Sequence, residues 1–340
     1  MDRVIPIRTE IRTSTVVIFV AIGLLLYVLL FAAAEWLVYR TGHMNPIFKI
    51  ETAEHRDYDW IILGASHAMP LDFGGMNEEI EKRIGVRILN LAGPGTGPLY
   101  SRFVLEHFLA EHSTRGVLYV ADGFAFRSPI WNEERFLDAK LLSRTPFRLS
   151  VLSRLASYVV RAGVDPRALL DYATGFSKMN NRDRFKTDVW EVENTFDRTF
   201  KPSATADRKR IDYLYPPVED EGAARSRYLS VLSELIATAQ DHGARVAIVR
   251  PPVPANFRRL LPGEDDFAAA LQSLAEKQGA EIFDYSASMD DPRFYGDTDH
   301  LNRAGVTELV ERHLGAVLAG QGARTGEDDR DAAAGGQVWD

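Results

Sequence analysis

The chain contains no cysteine. That absence removes thiol catalysis, zinc-finger sites and iron–sulfur clusters together. It leaves the compartment open, since an exported protein can dispense with disulfides. A basic excess is missing too: 40 Lys and Arg stand against 48 Asp and Glu, a formal charge of −8, which argues against a dedicated nucleic-acid binder. There is no Walker-type phosphate loop. His107 and His112 do not have His-Glu-x-x-His spacing, so no helix-borne metal pair is indicated. No internal repeat is visible. What remains is a chain of 340 residues, 46% hydrophobic, long enough for one large domain or two small ones around a sizeable core.

Charge is also lacking from Thr13 to Ala34, where the centre reads Val16-Val17-Ile18-Phe19-Val20 and then Leu24-Leu25-Leu26-Tyr27-Val28-Leu29-Leu30-Phe31. Roughly 20 such residues in a helix span a hydrocarbon core of about 30 Å. Trp36 and Tyr39 follow the run, where amphipathic rings favour the headgroup layer. A cleaved signal peptide is the alternative, with Ala32-Ala33-Ala34 as its processing site. Its apolar region would be too long, because signal peptides carry about 7–15 such residues. Residues 1–40 are therefore read as an uncleaved anchor, with 13–38 in the bilayer. Arg3, Arg8 and Arg12 before the run favour a cytoplasmic N-terminus and an exported remainder. The expected address is a single pass through the inner (cytoplasmic) membrane with the main domain outside.

Residues 41–56 read as a juxtamembrane linker and 57–319 as an α/β domain. Apolar runs at Trp60–Leu63, Val86–Leu89, Val117–Val120, Arg245–Val249 and Glu281–Phe283 predict strands. Helical spacing covers Met76–Arg83, Pro98–Glu111, Ala223–Asp241, Asp265–Lys277 and Arg303–Leu318. Such alternation implies a parallel sheet with helices on both faces and a site at the carboxyl ends of the strands. From about 124 to 217 the alternation breaks, and helical segments at Leu149–Arg161 and Pro166–Thr174 precede a polar stretch. This reads as an insertion over the sheet end, either meeting substrate or a partner or simply covering apolar surface. The Gly/Ala/Asp-rich stretch 320–340 is expected to be disordered.

Three segments carry candidate chemistry. The first strand runs into Gly64-Ala65-Ser66-His67, where a hydroxyl beside small residues suits a nucleophile or an ordinary strand-to-helix turn. The second ends in Asn90-Leu91-Ala92-Gly93-Pro94-Gly95-Thr96-Gly97. Its backbone amides, next to a helix start, suit developing negative charge. These glycines alternate, unlike a Gly-x-Gly-x-x-Gly dinucleotide fingerprint. Before the last helix comes Asp297-Thr298-Asp299-His300, where an Asp three residues ahead of a His can orient the imidazole, or can merely cap the helix.

In order and in position, Ser66, Gly95 and the Asp297/His300 pair resemble the SGNH (GDSL-like) hydrolase superfamily, over roughly residues 57–320 without the insertion. The resemblance implies a three-layer, flavodoxin-like α/β fold. It also implies that Ser66 attacks an acyl carbonyl, His300 acts as base and then acid, and Asp297 holds its tautomer. Backbone amides of Ser66 and Gly95 would form the oxyanion site. Asp299 competes for His300, but the family spacing favours Asp297. No metal or organic cofactor is called for.

Two departures stand out. The serine segment lacks the family's Gly-Asp-Ser acid. The third strand ends Val120-Ala121-Asp122-Gly123-Phe124, without the Asn that donates to the oxyanion. Losing one such donor typically costs about 10²–10³ in rate. The anchor, the external domain and these departures look like one branch, the membrane-tethered proteins that move acyl groups onto envelope polymers. These include the proteins of teichoic acid D-alanylation and of alginate acetylation. That likeness implies an envelope polysaccharide or acyl ester as substrate and a multi-pass membrane O-acyltransferase as partner. The competing class is a non-catalytic polysaccharide-binding or assembly protein on a decayed fold. His67 reads as a substrate contact or a structural residue, and Arg250-Pro251-Pro252-Val253-Pro254 as a site wall or, preferably, a strand end.

Overall fold

The computed structural model describes residues 13–320. Arg3, Arg8, Arg12 and the expected tail beyond Gly320 lie outside the described residues. Helix α1 (Thr13–Thr41) leads, followed by the short α2 (Pro46–Glu51). Strand β1 (Asp57–Gly64), a 3₁₀ segment (Ser66–Gly75), α3 (Met76–Ile84), β2 (Ile88–Asn90), α4 (Pro98–Leu109) and β3 (Ser113–Val120) form the first half of the domain. An insertion carries α5 (Ala139–Arg144), α6 (Leu149–Arg161), α7 (Pro166–Thr174), α8 (Phe176–Met179) and α9 (Ala204–Leu214). The second half contains α10 (Glu221–Asp241), β4 (Arg245–Arg250), α11 (Ala255–Arg258), α12 (Glu264–Gln278) and β5 (Glu281–Asp284). The last helical run is α13 (Arg303–Leu309), a π turn (Val310–Leu314) and α14 (Gly315–Leu318).

The five strands pair in parallel in the order β2-β1-β3-β4-β5. This is the flavodoxin-like arrangement, whose strand order reverses beside β1 and leaves a crevice there at the carboxyl ends. Alternation along the strands explains the three layers. Ile61, Leu63, Val117, Tyr119, Val246 and Ile248 point to the side covered by α4, α10 and α12. Trp60, Ile62, Leu118, Val120, Ala247 and Val249 point to the side covered by the 3₁₀ segment, α3 and the C-terminal helices. With both faces buried, the strands read as continuous apolar runs rather than alternating ones.

Helix α1 is long and apolar enough to cross a membrane, and no residue of its strongest apolar window is buried. The expected linker needs correction. Within 41–56, Met44, Asn45, Pro46, Ile47 and Ile50 are buried, and α2 joins the main core. Burying Ile47 and Ile50 contributes about 1.5–3 kcal/mol each, enough to hold the segment against the domain. Asn45 caps the helix by accepting from the Phe48 amide at 3.1 Å, and its own amide donates to Leu141 and Thr145 of the insertion. The domain therefore begins where a tether was expected.

Candidate active site

Ser66 is set by the way β1 ends. Gly64 has φ +133°, and a Cβ there would lie 2.5 Å from the Val120 carbonyl oxygen of β3, so only glycine fits between the strands. The chain then turns through Ala65 into the 3₁₀ segment, with Ser66 at its first position. The loop after β2 is tied to the same point. The Gly93 amide and the Thr96 hydroxyl donate to the Gly64 carbonyl at 3.3 and 2.9 Å. Gly95 in that loop has φ +63°, and a Cβ would meet the Trp131 ring at 2.8 Å. Among the described residues, neither the Ser66 nor the Gly95 backbone amide has a hydrogen-bond partner.

The third segment is a turn between an isolated bridge, Tyr295 to Leu301, and the cap of α13. Asn302 accepts from the Gly305 amide at 2.9 Å, and its side-chain amide donates to the Arg198 and Arg293 carbonyls at 2.9 and 2.8 Å. Fixed in this way, His300 reaches across the sheet end. Its Nε2 lies 2.9 Å from Ser66 Oγ, and its Nδ1 lies 2.8 and 3.0 Å from the two oxygens of Asp297. Asp297 is further held by the Asp299 and His300 amides at 3.1 and 2.8 Å. Nδ1 faces carboxylate oxygens, which only accept, so it carries the proton. Nε2 is then the lone pair that receives the seryl hydroxyl. Burial by itself would raise the Asp297 pKa, but the charge and hydrogen bonds of His300 outweigh it and hold the carboxyl below its usual range.

Further charges pack around this relay, and sequence reasoning named Asp299, His67 and Asp122 without foreseeing that they and Arg210 form one cluster. Asp299 is 1% exposed. Arg210 of α9 donates from Nε to its two oxygens at 2.9 and 3.1 Å, and Nη2 of the same guanidinium is 3.4 Å from His300 Nε2. His67 bridges two carboxylates, with Nδ1 2.5 Å from Asp122 and Nε2 3.3 Å from Asp299. Burial pushes the His67 pKa down, yet Asp122 and Asp299 overcome it and hold the ring at about 10. Asp299, penalised by burial, is nonetheless kept well below the usual carboxylate range by His300, Arg210 and His67. His67 is thus an imidazolium at neutral pH, its ring centroid 4.8 Å from that of His300 and tilted by 32°. Asp122, at the strand end where an Asn was sought, accepts from His67.

The insertion closes the site. Trp190 meets His300 edge-on at 4.9 Å, and Arg210 lies beside it, so Ser66 is only 3% exposed. His67 is an ion-paired structural neighbour of Ser66. Arg250 engages Glu264 at 2.8 Å and also Asp284, and with Pro251 and Val253 it lines a small pocket that His67 and Asp122 share. The sequence signals for these charges were Asp299 beside His300, the acid two residues after β3 and the His after the serine. Nothing local marked Trp190 or Arg210, which arrive through folding of the insertion.

His67, Asp299 and His300 offer ligand atoms within 4.8 Å of one another. The Arg210 guanidinium on Asp299 and the imidazolium of His67 put two positive charges where a cation would sit, so the donor set does not fit a metal.

No family model and no curated protein matches the chain. Among solved structures, a provisionally assigned acylhydrolase from Bacteroides fragilis NCTC 9343 aligns over 78% of this chain and 89% of its own, with 9% identity and a TM-score of 0.38. Likeness at that level is too loose to carry an activity across.

Proposed function

We propose that this protein is a membrane-anchored serine O-acyltransferase or esterase acting on acyl esters of a cell-envelope polysaccharide. The observation that carries the chemistry is the unbroken contact from the Ser66 hydroxyl through His300 to Asp297, at 2.9 and 2.8 Å. In this mechanism Ser66 Oγ attacks the acyl carbonyl carbon while its proton passes to His300 Nε2. The C=O electron pair moves onto oxygen, which the Ser66 and Gly95 amides stabilise. Collapse expels the alcohol, which takes the proton from His300 and leaves an acyl-Ser66 ester. A second hydroxyl, from water or a glycan, gives its proton to His300, attacks the ester and restores Ser66. Asp297 stays ionised throughout and stabilises the imidazolium.

With Asp122 engaged by His67, the oxyanion site has two backbone donors and lacks a side-chain one. The missing donor is worth about 10²–10³ in rate. The apolar α1 supports an anchor, and the arginines before it support an exported domain. A multi-pass membrane acyltransferase partner rests on the resemblance alone.

A second reading, a non-catalytic glycan-binding or assembly protein, is favoured by one observation, the burial of Ser66 beneath Trp190 and Arg210. A fluorophosphonate probe separates the two. Labelling of the full chain, lost in Ser66→Ala, is expected. A folded wild-type chain that resists labelling at all probe sizes would leave only the binding role. A periplasm-specific reporter fused after Thr41 should be active, and an inactive one would reverse the orientation.

A further inference from the structure

Helix α1 does not stand clear of the domain. Its C-terminal half is fastened to the insertion at successive turns. The Tyr27 hydroxyl donates to the Thr174 carbonyl at the end of α7. Phe31 packs edge-on against Phe147 at 5.5 Å and lies so close to Gly175 that a Cβ there would be 2.5 Å from its ring. Glu35 accepts from the Phe147 amide at 2.7 Å and pairs with the buried Lys178 ammonium of α8. Arg144 donates to the Thr41 hydroxyl at 2.7 Å.

These contacts set depth. Glu35 is the first charge after the uncharged run, and Trp36 beside it is exposed, so this level suits the headgroup boundary. At about 1.5 Å per residue, Phe31 lies about 6 Å and Tyr27 about 12 Å inward from Glu35 along the helix. The parts of the insertion that touch Tyr27 and Phe31 are then level with the apolar run. Counted from Tyr27 back to Thr13, where the uncharged run begins, the part free of the insertion is only about 20 Å long, short of a hydrocarbon core of about 30 Å. The uncharged run spans fully only if its clad portion enters as well.

The elements at that depth carry apolar side chains exposed to a degree unusual for a core-forming chain. Leu149 at the start of α6 is 73% exposed, and Leu170 on α7 and Phe176 on α8 are each 63% exposed. Lys178 on the same short helix is buried and paired, so it presents no free charge there.

We propose that this tip of the insertion is embedded in the bilayer leaflet beside α1, with Leu149, Leu170 and Phe176 in the boundary between headgroups and acyl chains. The inference rests on the membrane-anchor reading of α1. The occupant of the apolar face is lipid, because the face is continuous with the exposed surface of the spanning helix. A depth of about 5–10 Å is typical of segments held in this way.

The cysteine-free chain allows a direct test. Single variants Leu149→Cys, Leu170→Cys and Phe176→Cys, with Leu24→Cys on the free part of α1 and Lys277→Cys on α12 as references, would each carry an environment-sensitive NBD label. The full chain is placed one copy per disc in phosphatidylcholine/phosphatidylglycerol nanodiscs containing nitroxide-labelled lipid. Lipid quenching at 149, 170 and 176 should exceed that at 277 several-fold and approach that at 24. Quenching at 24, with the three tip sites matching 277, would overturn the embedded tip alone. Tip labels shielded from water but not quenched by lipid would assign the face to protein and also overturn it. An unquenched Leu24→Cys label would reject the anchor itself, and the tip with it.

Discussion

Replacing His67 by Gln tests whether the cation beside the serine is real. In the folded chain the ring is held at about 10 from an ordinary 6.5 by Asp122 and Asp299, against the burial that would lower it. The folded state therefore keeps a proton that the unfolded state releases across that window. Stability is complete below about pH 6.5 and is lost as pH rises toward 10, at about 1.4 kcal/mol per pH unit. The total is of the order of 3–5 kcal/mol. At neutral pH the variant should lose a similar amount, because Asp122 keeps its buried charge without its partner. Adding Asp122→Asn to His67→Gln should recover much of that loss, since the pair is then neutral. The assay is denaturant unfolding of the full chain in detergent, followed by tryptophan fluorescence between pH 6 and 10. A wild-type stability that rises over this range would refute the reasoning, as would a His67→Gln slope equal to the wild-type one.

Asp297→Asn should leave folding intact while lowering turnover by up to about 10⁴, because the amide no longer fixes the Nδ1–H tautomer; unchanged turnover would remove Asp297 from the relay. His300→Ala should abolish acyl transfer without unfolding, judged by circular dichroism beside an ester assay. Gly95→Ala forces a side chain into φ +63° against Trp131. It should cost about 1–3 kcal/mol in thermal stability and slow labelling of Ser66. Trp190→Ala removes part of the cover over His300, so bulky fluorophosphonates should gain on small ones in labelling rate. An unchanged ratio would show that Trp190 does not limit access.

Much of the architecture is legible in the sequence because local signals agree with the global fold. Helices α6 and α7 run over the expected residues, and α7 is bounded by the Asp165 cap, Pro166 at its first turn and Gly175 beyond its end. The buried strands stand out as apolar runs closed by Gly64 or by Pro251. Helix α2 was missed although Asn45-Pro46 is a helix-start signature, because the short stretch after an anchor invites reading as a tether. Ser66, His300 and Asp297 stand at strand and helix ends, and it is the superfamily resemblance that singles them out. Arg210 and Trp190 were not, since long-range packing of an irregular polar stretch has no periodicity to read. The interruption of the last helix by a π turn at Val310–Leu314 also has no sequence signal that we identify.

The missing linker changes what the chain can reach. A flexible tether spanning 41–56 would let Ser66 and His300 wander over a radius of about 20 Å. Here α1, Asn45 and α2 clamp directly onto the insertion that also carries Arg210 and Trp190. Whatever α1 is fixed to, Ser66 is fixed to as well, at one height and one bearing. On the proposed transfer reading, the acceptor comes to a stationary serine rather than the serine to the acceptor.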